Sequence, residues 1–295
     1  MSDSTEVFLG HRELLFSVVY SMLGSVADTE EVLQETWLSW ESRSRSGSPV
    51  EHARAYLVRI AANQALARRA AINRRKENYT GQWLPEPLVE EDEDGDPAVR
   101  AESYSMAMLV VLETLTPLER AVFVLHEVFG YAHTEIAEIL DRRPPAIRQL
   151  AHRAREHVHA RRPRYRADPR VCREVTQRFL DAAVGGDLEA LLRILAPDVT
   201  LWTDGGGKGP AWSPHPVHGR ERIAKLFAAI HGHLPGRLDI RHRRVGGDSA
   251  AVLFLDAAPL AVFVLSLTPD GGQVNRIYSI TNPDKLPRWT TARSA

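Results

Sequence analysis

Apolar side chains recur every three to four residues through 7–23, 29–40, 53–71, 106–115 and 117–129, the spacing of helices that bury one face. The first half of the chain is therefore expected to be helical. A further helix pair is predicted over 134–140 and 144–155, joined by Asp141, Arg142 and Arg143. Beyond Pro169 the texture changes. Short helices over 174–184, 188–195 and 220–231 are interspersed with β-rich runs at 199–203, 238–245, 250–255, 260–267 and 273–280. Pro269-Asp270-Gly271-Gly272 between the last two runs is a hairpin signal. Helices first and strands later imply separate domains rather than one interleaved sheet. The expected fold class is multidomain: two all-α domains, the second with a helix-turn-helix, followed by an α+β domain.

The length of 295 residues fits two or three such units. At 44% hydrophobic and 25% charged, the chain can bury ordinary cores. A single cysteine, Cys172, forms no internal disulfide and excludes a multi-cysteine zinc site, which fits a reducing, cytoplasmic compartment. The apolar-leaning stretch 14–27 lacks the basic flank of a signal peptide, and no run reaches the length of a membrane helix. Neither export nor a membrane partner is expected.

A balance of 37 basic to 38 acidic residues would argue against nucleic acid if charge were evenly spread. It is not. Residues 1–41 carry eight acids against Arg12, whereas 54–76 carry seven cations and no acid. An acidic stretch, 86–96, is broken by Pro85, Pro87, Gly95 and Pro97 and reads as a linker. Nine arginines then fall within 142–166 against Glu156 alone. Clustered cations attract a phosphate backbone whatever the whole-chain sum, so two DNA contacts joined by an acidic tether are one reading, and solvated helix faces the other. Glu86, Glu90, Glu91, Asp92, Glu93, Asp94 and Asp96 suit a positively charged channel or plain solvent.

The pair 134–140 and 144–155 has the form of a helix-turn-helix. Ile136, Ala137, Ile139 and Leu140 would face Ile147, Leu150, Ala151 and Ala154. Asp141 takes the turn position usual for Gly and tolerates a left-handed backbone. On the outer face stand Arg142, Arg143, Arg148, Gln149, His152 and Arg153. Arg forks onto guanine and Gln onto adenine, the chemistry of major-groove reading. Arg155, Arg161, Arg162 and Arg164 suit phosphates instead.

With these segments in this order, the chain resembles an extracytoplasmic-function sigma factor, a dissociable promoter-recognition subunit of bacterial RNA polymerase. Residues 27–38, ADTEEVLQETWL, are similar to the region 2 helix that binds the polymerase β′ clamp. That implies Asp28, Glu31, Gln34, Glu35 and Leu38 as polymerase contacts. Residues 55–69, AYLVRIAANQALARR, resemble the helix that captures the melted minus-10 element, which implies Tyr56, Arg59, Asn63, Arg68, Arg69, Arg74 and Arg75 on DNA. Ala67 stands where the family usually has Asp, a departure that bears on the detail of that contact. Residues 115–125, LTPLERAVFVL, with the helix-turn-helix resemble region 4, which meets the minus-35 element and the polymerase β flap. The acidic helix suits a protein surface, and Asn63 with Tyr56 suits an unstacked strand. Trp37 and Trp40 read as core.

Three further strings, Trp83-Leu84-Pro85-Glu86-Pro87, Asp204-Gly205-Gly206-Gly207-Lys208 and Asn282-Pro283-Asp284-Lys285-Leu286, resemble markers of a sigma subgroup with a fused SnoaL-like domain. Such a domain is a curved sheet closed by helices into a cone, and the resemblance implies that it replaces a dedicated anti-sigma factor. The expected boundaries are 1–78 for region 2, 79–103 for the linker, 104–166 for region 4 and 167–295 for the SnoaL-like domain. Trp83 beside Pro85 and Pro87 makes a stiff segment that docks at low entropic cost, and the triple glycine admits close backbone approach. The domain is thus expected to grip the linker and set the two DNA-binding domains productively or unproductively. No cofactor, metal or catalysis is expected: Asp204, His215, His218, His231, His233 and Asp256 pair no nucleophile with a base. A small apolar inducer in the cone stays open. So does a different class, a ligand sensor or SnoaL-like enzyme fused to a DNA-binding module.

Overall fold

The computed structural model describes residues 3–46, 50–89, 105–161, 168–210, 213–230 and 238–286. The chain divides into two compact units, one of Met1–Glu77, Asp96–Tyr104 and Met108–Arg162, the other of Asn78–Gly95, Ser105–Ala107 and Pro163–Ala295. Residues 78–95, the first and longer part of the linker, thus group with the C-terminal part. Regions 2 and 4 share a unit.

In the first unit, α1 (Asp3–Leu23), α2 (Val26–Arg45) and α3 (Ala53–Glu77) pack on one another through Leu15, Val18, Val19, Val32, Leu33, Leu57, Val58, Ala61 and Ile72. Gly24, at φ 68°, ends α1 in the left-handed conformation that L side chains resist, and Ser25 caps α2 by accepting from the Asp28 amide at 3.3 Å. After α4 (Met106–Leu112), α5 (Pro117–Phe123) opens on a full capping box between Thr116 and Glu119. A π-helical turn, Val124–Val128, leads toward α6 (His133–Ile139) and α7 (Pro144–Arg161). Asp141 takes φ 51° between them, and the apolar faces assigned to both helices are buried. The helix-turn-helix forms as its sequence requires.

The second unit holds α8 (Pro169–Gly185), α9 (Leu188–Ile194), α10 (Arg220–Ile230) and a six-stranded sheet. Its strands are β1 (Leu195–Asp204), β2 (Val217–His218), β3 (Leu238–Val245), β4 (Asp248–Leu255), β5 (Ala258–Leu267) and β6 (Val274–Ile280), in the order β2-β1-β6-β5-β4-β3. Pairing is antiparallel except between β1 and β6, which run parallel. The helices cover one sheet face, where Phe227 lies between Phe179 and Phe263 with ring centroids 5.2 and 6.0 Å away. Strand alternation puts Trp202, Asp204, Tyr278 and Ile280 on the opposite face.

Among the differences from the sequence expectation, two concern the first strands of the sheet. The helix expected over 188–195 stops at Ile194, because Leu195 is already extended and opens β1. The two-residue β2 is too short to stand out as an apolar run. The acidic tether from Glu90 to Asp96, His231, His233, Arg162 and Arg164 lie outside the described residues. No described helix is long and apolar enough to cross a membrane.

Phe263 is buried to 3% exposure beneath Phe227, so Phe263→Ala removes a ring that the packed helices cannot replace. The expected loss is about 3–5 kcal/mol, read as a lower midpoint in denaturant unfolding of the second unit.

Candidate functional site

Four clusters hold the residues singled out by sequence. The first is on α2. Glu31, Gln34, Glu35 and Leu38 are exposed along one face, and Leu38 keeps 66% of its surface in water. Asp28 is buried instead, on the stripe with Thr29, Val32, Leu33 and Thr36. Its carboxylate accepts from Arg68 Nε at 2.8 Å and from Arg75 Nη2 at 2.8 and 2.7 Å. Burial alone would raise its pKa, but these guanidinium groups hold it below the ordinary 3.8. Arg68 also pairs with Glu31. Two expected DNA contacts are thus ion-paired with two expected polymerase contacts.

On α3, Tyr56 packs on Trp40 with centroids 5.9 Å apart, while Arg59 and Arg74 are exposed. Asn63 and Arg69 turn toward region 4. Asn63 Nδ2 donates to the Ile139 carbonyl at 2.7 Å. Arg69 stands on the helix's buried stripe with Ala62, Ala65 and Ile72, donating to the Leu23 carbonyl at 2.8 Å and to Glu113 at 2.6 Å. Glu113 also accepts from Arg120 Nη1 at 2.5 Å and from Lys76. Desolvation opposes its charge, but Arg120, Arg69 and Lys76 depress its pKa far below the ordinary 4.5.

The third cluster is the outer face of α7. Arg148, Gln149, His152 and Arg153 are all exposed there, as are Arg142 and Arg143 in the turn that precedes the helix. Arg153 Nε lies 3.5 Å from Glu119, and His152 lies 3.6 Å from Glu156.

The fourth cluster joins all three marker strings. Asp204, fully buried at the end of β1, accepts from the Leu84 amide at 2.8 Å and from Lys285 Nζ at 2.8 Å. The Tyr79 hydroxyl donates to its other oxygen. Lys285 also donates to the Leu84 carbonyl at 2.7 Å and sits 3.5 Å from the Trp83 ring centroid, a desolvated cation–π contact. Asn282 Nδ2 donates to the Tyr79 oxygen at 2.7 Å. Burial first, and then Asp204, push the Tyr79 pKa upward, so the phenol stays a donor. Leu84, Pro85 and Pro87 are buried, Glu86 is half-buried, and Val89 bridges to Val245. A Cβ on Gly206, which has φ 60°, would fall 2.4 Å from Asn282, so glycine is required there. Gly205 turns the chain by accepting from Lys208 and Gly209 amides at 3.0 and 2.7 Å. Lys208 and Asp284 close the rim at 2.5 Å, with Pro283 exposed beside them.

Sequence reasoning passed over Tyr79, Glu113 and Arg120. Tyr79 is the sole aromatic between Tyr56 and Trp83, and Glu113 the sole acid within the apolar run 106–115; both were visible as exceptions to their surroundings.

The groups considered for catalysis do not converge. Asp204 is engaged by the linker, His215 and His218 are exposed, and Asp256 sits on the β4–β5 turn. Among the described residues no cluster of three His, Cys, Asp or Glu could hold a metal. A 340 Å³ depression lies between Leu188 and Leu192 on α9 and Arg220 and Lys225 on α10.

Comparison with known proteins agrees with this architecture. Residues 7–75 match sigma-70 region 2, residues 105–158 match sigma-70 region 4, and residues 176–276 match the SnoaL-like domain. The chain is 34% identical to the ECF RNA polymerase sigma factor SigJ of Mycobacterium tuberculosis, across 93% of this chain and 90% of that protein. It is 29% identical to the probable ECF RNA polymerase sigma factor SigI of the same species, across 94% and 92%. The crystal structure of SigJ superposes with a TM-score of 0.72 at 32% identity, covering 95% of this chain and 97% of that one. Sigma-70 regions 2 and 4, with the linker between them gripped by a SnoaL-like domain, define a sigma factor with a built-in C-terminal domain. The chain belongs to the extracytoplasmic-function RNA polymerase sigma factors.

Two outcomes follow from the buried carboxylates. Asp204→Asn leaves the buried Lys285 ammonium without its countercharge, which costs about 3–5 kcal/mol at this site and exposes residues 79–89 to proteolysis. Asp28 and Glu113 both titrate lower folded than unfolded. Their contribution is complete above their ordinary values of 3.8 and 4.5 and is lost progressively as pH falls from there toward their lower folded values, so acid unfolding monitored by circular dichroism should be shallower in Glu113→Gln.

Proposed function

We propose that this sigma factor meets core polymerase through the exposed α2 face of Glu31, Gln34, Glu35 and Leu38, and through region 4 at the β flap. It reads the minus-35 element with Arg148, Gln149 and their neighbours on α7, and the minus-10 strand with α3. The C-terminal domain acts by holding the linker, in place of a separate anti-sigma protein, and not by catalysis. The observation that carries this reading is the buried Asp204 carboxylate, occupied by the linker's own Tyr79 and Leu84 together with Lys285. An enzyme would keep such a group open to substrate. The phenylalanine packing beneath the helices supports the same view, because it fills the face on which a SnoaL-like enzyme would place its ligand. A cytoplasmic site of action follows from the partnership with polymerase.

In vitro transcription tests the proposal. Core polymerase plus the full chain should start at discrete promoters, and failure to co-purify with core polymerase would sink the sigma assignment. Trp83→Ala should change transcript yield without abolishing polymerase binding; unchanged yield would refute linker control. Arg148→Ala should cost roughly 1–3 kcal/mol at one base position of the minus-35 element, whereas Arg161→Ala should weaken binding evenly across sequences.

A further inference from the structure

Three arginines of α7 have different surroundings. Arg148 makes no hydrogen bond or ion pair among the described residues. Arg155 commits two nitrogens to one carboxylate oxygen of Glu127, its Nε donating at 3.1 Å and its Nη2 at 2.6 Å. Arg153 is held another way: only its Nε faces an acid, Glu119 of α5, at 3.5 Å. Its Nη1 and Nη2, a pair able to fork onto guanine O6 and N7, carry no hydrogen bond among the described residues.

Glu119 is fixed before any DNA arrives. It is 5% exposed, and its Oε2 accepts from the Thr116 amide at 3.2 Å and from the Thr116 hydroxyl at 2.8 Å. Those bonds belong to the capping box that opens α5, and they leave Oε1 to face Arg153. A buried side chain thus braces an exposed one. An arginine loses much rotamer freedom when it binds, and a fixed carboxylate at its Nε removes part of that loss in advance. Arg153 also follows Gln149 by one helical turn, about 5.4 Å, on the same stripe of α7, which spans one to two base-pair steps of about 3.4 Å.

The charge of Glu119 decides which kind of contact this arrangement serves. A phosphate contact draws on the net charge of the cation, and an acid beside it offsets that charge and repels the phosphate too. A base edge rewards direction instead, because its pattern of donors and acceptors is met only by a correctly aimed fork. An acid-braced arginine is therefore a poor phosphate clamp and a good base reader.

We infer that Glu119 is a positioning residue that aims the Arg153 guanidinium at one guanine of the minus-35 element, so that Arg153 sets specificity at that base pair. The inference rests on the assignment of α7 to the minus-35 element.

The test uses the full chain bound to core polymerase, with a promoter duplex that the wild-type complex selects from a library randomised across the minus-35 element. Each base pair of the selected element is changed in turn and the affinity measured. Arg153→Ala should abolish discrimination at one guanine-containing pair; an even loss across all sequences would make Arg153 a phosphate contact and overturn the inference. Glu119→Gln keeps the cap, since glutamine also serves at that position of a capping box, but removes the charge beside Arg153. It should lower discrimination about tenfold at the same base pair and leave the other pairs as in wild type. Added to Arg153→Ala, it should change nothing further at that pair. An even rise in affinity for all sequences would show a bare charge effect, and a Glu119→Gln effect that persists without Arg153 would show another route; either result refutes the positioning role. If Glu119→Gln fails to fold by circular dichroism, Arg153→Lys, which keeps the charge but has no fork, must lose the same discrimination, and its retention is refutation. A wild-type complex with no minus-35 preference at all would instead overturn the promoter assignment on which the inference rests.

Discussion

A carboxylate with no water around it is stable only when donors and cations surround it, and Asp204 meets that demand with groups from two distant stretches of chain. Tyr79 and Leu84 come from the linker, Lys285 from beyond the last strand. Each needs the others. Without the linker, Asp204 and Lys285 would face each other across a half-empty site. Without Lys285, the Trp83 ring would lose its cation and the Leu84 carbonyl its donor. The requirement explains why the marker strings have their composition: glycines where Asn282 and Thr80 press close, prolines where the docked segment must stay extended, and one lysine long enough to span carboxylate, carbonyl and ring.

The first unit applies the same physics with the opposite sign. There, cations are in excess, and Glu113 with the end of α1 supplies the negative charge. Asp28 does likewise for Arg68 and Arg75. In each case a basic residue that looks ready for DNA is held by an acid of the same unit. The net charge of −1 therefore reflects real pairing, not only the cancellation of surfaces that never meet.

Much of the architecture was legible in the sequence. Helical and strand periods, the turn at Asp141 and the three marker strings all mark their places, because each depends on local backbone chemistry. Partners were less legible. Arg69 lies four residues from Ala65 and three from Ile72, on the apolar stripe, so its inward direction was encoded; its charge drew the reading toward DNA instead. Asp28 shares a stripe with Val32 and Thr36 and was similarly mistaken for surface, although its stripe pointed inward. Glu113 could not be matched to Arg69, 44 residues away, since nothing in a linear pattern records which buried cation meets which buried anion.

The parallel pairing of β1 with β6 has a consequence for how the chain is made. Asp204 ends the first strand, but the segment that completes its surroundings follows the last, and Lys285 lies 201 residues after Leu84. At usual rates of synthesis, roughly 10–40 s separate the emergence of the linker from that of its grip. Through that interval the promoter-binding helices exist as a nascent chain with an unclasped linker. The grip can close only after Lys285 has been made, so a chain that stopped before it would carry both helical sigma regions with a linker that nothing clasps.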